Sequence, residues 1–186
     1  DITPSSIHFS KKQILVGDKA YNCYSKEYLE NLLEYNQSGI IKETFNTFIE
    51  FKRTMGTDKK YKCENAGREF SSEELSAEIL KTLKGYIRDE DVNAIVITVP
   101  ARFENNQIDA TQRAAELAGF LYCELLQEPI AASMAYGITA KKFNGYWLVF
   151  DFGGGTFDAA LMNVDEGIMK VIDTAGDNHL GGKNID

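Results

Sequence analysis

The chain has 186 residues, 44% apolar and 26% charged, with 20 Lys and Arg against 28 Asp and Glu for a formal net charge of −8. That length allows one domain or two small lobes with a real core, and the acidic balance lacks the basic face of a nucleic-acid binder. No apolar run reaches the roughly 18–20 residues that span a bilayer, so neither a nucleic acid nor a membrane is an expected partner. Cys23, Cys63 and Cys123 are far apart and form no CxxC pair. They read as reduced thiols, and with no signal-peptide pattern the expected address is cytoplasmic. The abrupt ends, Asp1-Ile2-Thr3-Pro4-Ser5 and Gly181-Gly182-Lys183-Asn184-Ile185-Asp186, read as those of a fragment.

In chain order, Ile7–Phe9 and Gln13–Val16 are short strands and Glu27–Tyr35 is a helix. Phe45–Met55 is mixed, and Gly56-Thr57-Asp58 is a turn. Tyr61–Cys63 and Arg68–Phe70 form a hairpin. Ser71-Ser72-Glu73-Glu74 is a capping box, after which Leu75, Ile79, Leu80, Leu83, Tyr86 and Ile87 recur at helical spacing to about Arg88. Ala94–Val99 is a β-branched run ending at Pro100, the pattern of a strand buried on both faces. Helix Gln107–Leu117, strand Phe120–Leu126 and helix Pro129–Tyr136 follow. Tyr146–Phe150 reads as another buried strand, and Phe157–Val164 with Ile168–Asp173 as a hairpin around Asp165-Glu166-Gly167. This succession predicts an α/β fold whose sheet is partly parallel and partly antiparallel. Lys141-Lys142-Phe143-Asn144-Gly145 marks a lobe boundary.

The chemistry concentrates in Asp151-Phe152-Gly153-Gly154-Gly155-Thr156-Phe157-Asp158. Its glycines lie between two strands, which fits neither a Walker A loop nor a dinucleotide fingerprint at a helix N-terminus. Glycines let a tight turn form and clear side chains from a ligand's path, and successive N–H groups can converge on an anion. Thr156 adds a hydroxyl, Asp151 an acceptor suited to Mg²⁺ through coordinated water, and Asp158 a weaker candidate. The residues by themselves leave two readings open, a structural glycine turn or a phosphate site.

The same octapeptide resembles the second phosphate motif of the 70-kDa heat-shock chaperone family, D-L-G-G-G-T-F-D. Further blocks in the family's order are Thr3-Pro4-Ser5, Phe51–Gly56 (FKRTMG), Ala94–Phe103 (AIVITVPARF), Leu125–Gly137 (LLQEPIAASMAYG) and Ala175–Gly182 (AGDNHLGG). The resemblance covers essentially the whole chain. It implies part of an actin-like, ribonuclease H-like ATPase fold with mixed sheets and flanking helices. Residues 1–91 would form an outer lobe with edge strands, 92–140 the first ATPase-fold core, and 141–186 the start of the second.

The resemblance also implies ATP and ADP, Mg²⁺ and K⁺ as ligands. It assigns Lys52 to the γ-phosphate and attacking water, and Glu128 to orienting or deprotonating that water. Asp151 would hold the cations indirectly, while Gly153, Gly154, Gly155 and Thr156 contact phosphate. Nothing else in the sequence selects Lys52, beside Arg53, or Glu128, before Pro129. Implied partners in a parent protein are a peptide-binding domain, unfolded polypeptide clients, and J-domain and nucleotide-exchange co-chaperones. The family's first phosphate loop and adenosine-contacting segments fall outside these 186 residues, so the fragment alone is expected to be inactive. Arg102, Gln127, Ile130 and Lys183-Asn184 depart from the family pattern. So does Ile108, where an arginine is implicated in interdomain signalling. These departures leave a non-hydrolysing regulatory module as one alternative. An actin-like filament protein or sugar kinase is the other, sharing the glycine hairpin but not the flanking blocks.

Overall fold

The structure is a computed structural model that describes residues 2–40, 42, 44–136, 144–153, 156–177, 180–182 and 185. The chain divides into two compact units, Asp1–Ile95 with Asn105–Cys123, and Val96–Glu104 with Glu124–Asp186. Its elements in order are β1 (Ser6–Phe9), β2 (Ile14–Val16), α1 (Asp18–Ser38), β3 (Thr47–Ile49), a 3₁₀ helix (Phe51–Thr54), β4 (Tyr61–Cys63), β5 (Arg68–Phe70), α2 (Ser72–Lys84), β6 (Ala94–Val99), α3 (Asn105–Leu117), β7 (Tyr122–Gln127), α4 (Glu128–Ala135), β8 (Gly145–Phe152), β9 (Phe157–Asp165) and β10 (Ile168–Asp177). They form four small sheets, ordered β2-β1-β3, β4-β5, β6-β7 and β10-β9-β8, with helices beside them, in keeping with the α/β fold of several sheets expected.

In the first unit, alternation along β1 sends Ile7 and Phe9 to one side, where they meet Phe48, Phe51, Cys63, Phe70, Leu75 and Ile79. The Phe9 and Phe70 rings stack at 4.4 Å, and Phe48 meets Tyr61 edge-on at 5.6 Å. A second cluster joins Met55 to Ala110 and Ala114 of α3, with Leu80 of α2 packed against it. The small alanines let α3 approach closely. None of Cys23, Cys63 and Cys123 is in a disulfide. Among the described residues no helix is long and apolar enough to cross a membrane.

The capping box opens α2 as expected. Ser71 Oγ accepts from the Glu74 N–H, and Glu74 Oε2 accepts from the Ser71 N–H at 2.8 Å. Arg68 donates to Glu74 Oε1 and lies 3.7 Å from the Phe70 ring centroid. Burial raises the Glu74 carboxyl, but the hydrogen bonds from Arg68 and the Ser71 N–H outweigh it and hold the group below its ordinary value. A depressed carboxylate stabilises the fold above its unfolded pKa, about 4.3 for Glu, and loses that contribution as pH falls through the folded value. Thermal melts from about pH 5 down to about pH 3 are therefore expected to lose less stability in Glu74→Gln than in the wild type.

Several boundaries and two burial patterns differ from expectation. Helix α1 starts at Asp18 and runs to Ser38, with the rings of Tyr21, Tyr24 and Tyr28 following one another along it. Helix α2 stops at Lys84, where Gly85 caps it and leaves Tyr86 and Ile87 exposed. Residue 128, expected just before a helix, begins α4. Strand β6 is not buried on both faces: its residues alternate, with Val96 exposed. Strand β8 behaves likewise, since Tyr146, Leu148 and Phe150 are exposed on one face. Each run of apolar residues is covered on one side only, and an apolar run by itself does not distinguish that from full burial.

Candidate active site

Strands β8 and β9 pair antiparallel, so the register decides which side chains meet. Phe152 faces Phe157, Asp151 faces Asp158, and Val149 faces Ala160. The ladder continues beyond the strands through a bond from the Gly153 N–H to the Thr156 carbonyl at 2.9 Å. Side-chain alternation then separates two surfaces. Phe150, Phe152 and Phe157 cluster on one, with ring centroids 4.7 and 6.2 Å apart. Val149, Asp151, Asp158 and Ala160 occupy the other.

On that second face β9 meets β10, which pairs with it so that Ala160 faces Thr174 and Asp158 faces Gly176. Gly176 has no room for a side chain, since a Cβ there would run into the Phe157 carbonyl oxygen and lie 3.0 Å from Asp158 Oδ1. Its own carbonyl accepts from Arg102 Nη1 at 2.8 Å, a use for the arginine that departs from the family pattern.

Helix α4 brings the remaining carboxylate. Pro129 sits in its first turn, where its missing N–H costs nothing and its fixed φ suits helix entry. Ser133 bonds the Pro129 carbonyl at 2.8 Å and touches Met162 of β9 at 3.4 Å, which ties the helix to the sheet. Glu128 at the head of α4 consequently lines one narrow cleft with Pro100, Ala101, Pro129, Asp151, Asp158 and Thr174. The cleft's free volume is about 10 Å³, room for about one water.

Three of the residues singled out by sequence thus share a cleft: Glu128, Asp151 and Asp158. Asp158, ranked below Asp151 from sequence, faces it across the ladder. Like charges directly opposite in an antiparallel pair destabilise the sheet, so this pair is suited to a positive group. Gly153 is placed differently from expectation. Its N–H is used by Thr156 and its carbonyl by the Gly182 N–H at 3.0 Å, so what it offers a ligand is space. Gly154 and Gly155 lie outside the described residues, as do His179 and Lys183-Asn184.

Lys52 belongs to the first unit, exposed on the 3₁₀ helix. That helix is entered through Glu50 in the left-handed conformation, φ 58°, whose carboxylate pairs with Arg53 at 3.3 Å. Ile108 is half-buried on α3. Sequence reasoning missed Thr174 and Gly176. Only the β9–β10 register brings them to Asp158, and no local motif signals that.

Among the described residues no three His, Cys, Asp or Glu side chains are grouped to hold a metal ion directly.

Comparison with known proteins bears on this cleft. The Hsp70 protein family model matches residues 1–186. The chain is 38% identical over 187 residues to the chaperone protein DnaK of Mycoplasmopsis synoviae. It is 39% identical to that of Mycoplasmopsis agalactiae over 187 residues, and 39% identical to that of Thermosipho melanesiensis over 189. Each match covers 99% of this chain but 28% of the relative. The several small sheets and flanking helices agree with part of the family's actin-like ATPase fold. The chain belongs to the Hsp70 family.

Proposed function

We propose that the cleft of the second unit is the phosphate side of an ATP and ADP site in the ATPase domain of a chaperone. The observation that carries this is the convergence of Glu128, Asp151 and Asp158 beside the Gly153–Thr156 rung. Phosphoryl transfer needs positioning and charge neutralisation more than covalent help, and the residues divide along those lines. Asp151 would accept hydrogen bonds from the water shell of Mg²⁺, with K⁺ an alternative occupant. When bound, the ion would neutralise charge on phosphate oxygens. Glu128 would orient the attacking water and accept its proton, and Thr156 would add a hydroxyl contact. Gly153, Gly154 and Gly155 would leave room for the phosphates, and Lys52 would offset charge on the γ-phosphate.

The finer division into an outer lobe (1–91), a first core (92–140) and the start of a second (141–186) belongs to the same proposal. So do a cytoplasmic location, a role in the stress response and nucleotide control of a peptide-binding domain. Unfolded polypeptide clients and J-domain and exchange co-chaperones rest on family membership alone.

The test is phosphate release from ATP by the natural protein that carries these residues. Lys52→Ala and Glu128→Ala are each expected to lower turnover by about 100-fold. An unfolded polypeptide is expected to stimulate the wild type. Unchanged turnover in both variants would overturn the catalytic reading, and transfer of phosphate to a sugar would favour a kinase.

A further inference from the structure

Strand β10 changes register part-way along its ladder. Val171 faces Met162, but the next pair is Asp173 with Leu161, so Ile172 is an extra residue bulged out of the pairing. Asp173 steadies the irregular backbone, its Oδ1 accepting from the Thr174 N–H at 2.8 Å. An inserted residue exchanges the two faces for every side chain beyond it. In the register of residues 168–171, Thr174 would face Ala159, the partner of Phe150, on the phenylalanine side. With the bulge it faces Ala160 instead and lines the cleft with Glu128, Asp151 and Asp158. Gly176, the next residue of β10 on that face, brings no side chain.

The cleft has room for about one water, and the chemistry of its walls bears on how that water is held. Ionised carboxylates only accept hydrogen bonds, so Glu128, Asp151 and Asp158 can take the water's protons but cannot hold its oxygen. Among the other described residues of the wall, Pro100, Ala101, Pro129, Val149, Ala159 and Ala160 have no polar side chain. Thr174 supplies the missing donor. Its O–H can hold one lone pair of the water oxygen and leave the other free to attack.

We propose that Thr174 is a water-positioning residue of the cleft, delivered there by the bulge in β10. The inference rests on the ATPase reading above. The Thr174 hydroxyl donates to the water that Glu128 orients. That water's oxygen bonds to the γ-phosphorus as the bond from this phosphorus to the β–γ bridging oxygen breaks. The proton goes to Glu128 and ADP leaves.

Steady-state ATP hydrolysis by the natural protein tests the assignment. Thr174→Val keeps the branched shape and removes the hydroxyl. It is expected to lower kcat by about tenfold, with KM for ATP and the unfolding temperature near their wild-type values. Thr174→Ser keeps the hydroxyl and is expected to recover most of that loss. Because both residues act on one water, the double variant E128A/T174V is expected to lie within about twofold of Glu128→Ala alone. A loss that serine does not recover, a matching fall in unfolding temperature, or full additivity in the double variant overturns the inference. Wild-type turnover in Thr174→Val beside a loss in Glu128→Ala also overturns it, and leaves the ATPase reading standing. Wild-type turnover in both removes the reading and the inference together.

Discussion

Asp151→Asn is expected to lower Mg²⁺-dependent ATP turnover of the natural protein by about 100-fold or more, while leaving its thermal stability unchanged or slightly raised. The two halves of that expectation share a physical cause. Asp151 and Asp158 are cross-strand partners in the β8–β9 ladder, on the face that lines the cleft. Two carboxylates so placed repel, and the sheet would gain from neutralising either one. A bound cation reverses the sign, because each carboxylate then contributes attraction to the ion or its water shell. Asparagine keeps the shape and one acceptor oxygen but removes the charge, so raising Mg²⁺ is expected to recover part of the lost turnover. Turnover and unfolding temperature measured on the same preparation decide the matter. A variant that loses both, or that keeps wild-type turnover, would show that Asp151 has an ordinary structural role.

The second large effect lies in the first unit. Gly56→Ala is expected to destabilise the fold by about 3 kcal/mol. Gly56 has φ +71°, and a Cβ there would lie 2.6 Å from the Asn106 carbonyl oxygen and 2.7 Å from its carbon. Neither atom can yield easily, since both are backbone at the start of α3. Asn106 also holds the segment from the other side, donating from Nδ2 to the Gly56 carbonyl at 3.1 Å. Gly67 is the control. It has φ +63° but nothing within 4 Å of a built Cβ, so Gly67→Ala costs only the left-handed backbone, about 1 kcal/mol. Urea unfolding of both variants separates conformational strain from collision. Equal losses would mean that the contact between Gly56 and α3 carries no cost.

Much of this architecture is legible locally. The capping box at Ser71–Glu74 satisfies its own helix end, so four adjacent residues announce it. The β4–β5 hairpin is announced by the turn residues Glu64-Asn65-Ala66-Gly67 between two short segments, and it forms where expected. Asp151 and the glycine run stand out for the same reason, being a contiguous motif. Glu128 is different in kind. Its neighbours Gln127 and Pro129 describe a helix entry and nothing more, and only the family resemblance selected it. Lys52 was selected in the same way.

Sequence by itself determined most element types, though not β3 and the 3₁₀ helix, and also the capped start of α2, the glycine hairpin and the family. These follow from patterns within a few turns of chain, or from blocks in a shared order. Tertiary structure alone decided that β6 and β8 are covered on one face rather than two, because an apolar run looks the same in either setting. It alone set Asp158 against Asp151 and Thr174 against Ala160, since a shift of one residue in register would send each side chain to the opposite face. It alone brought Glu128 from the head of α4 into the cleft with both aspartates. Contacts between residues distant in the chain depend on packing and pairing, and no local spacing encodes them.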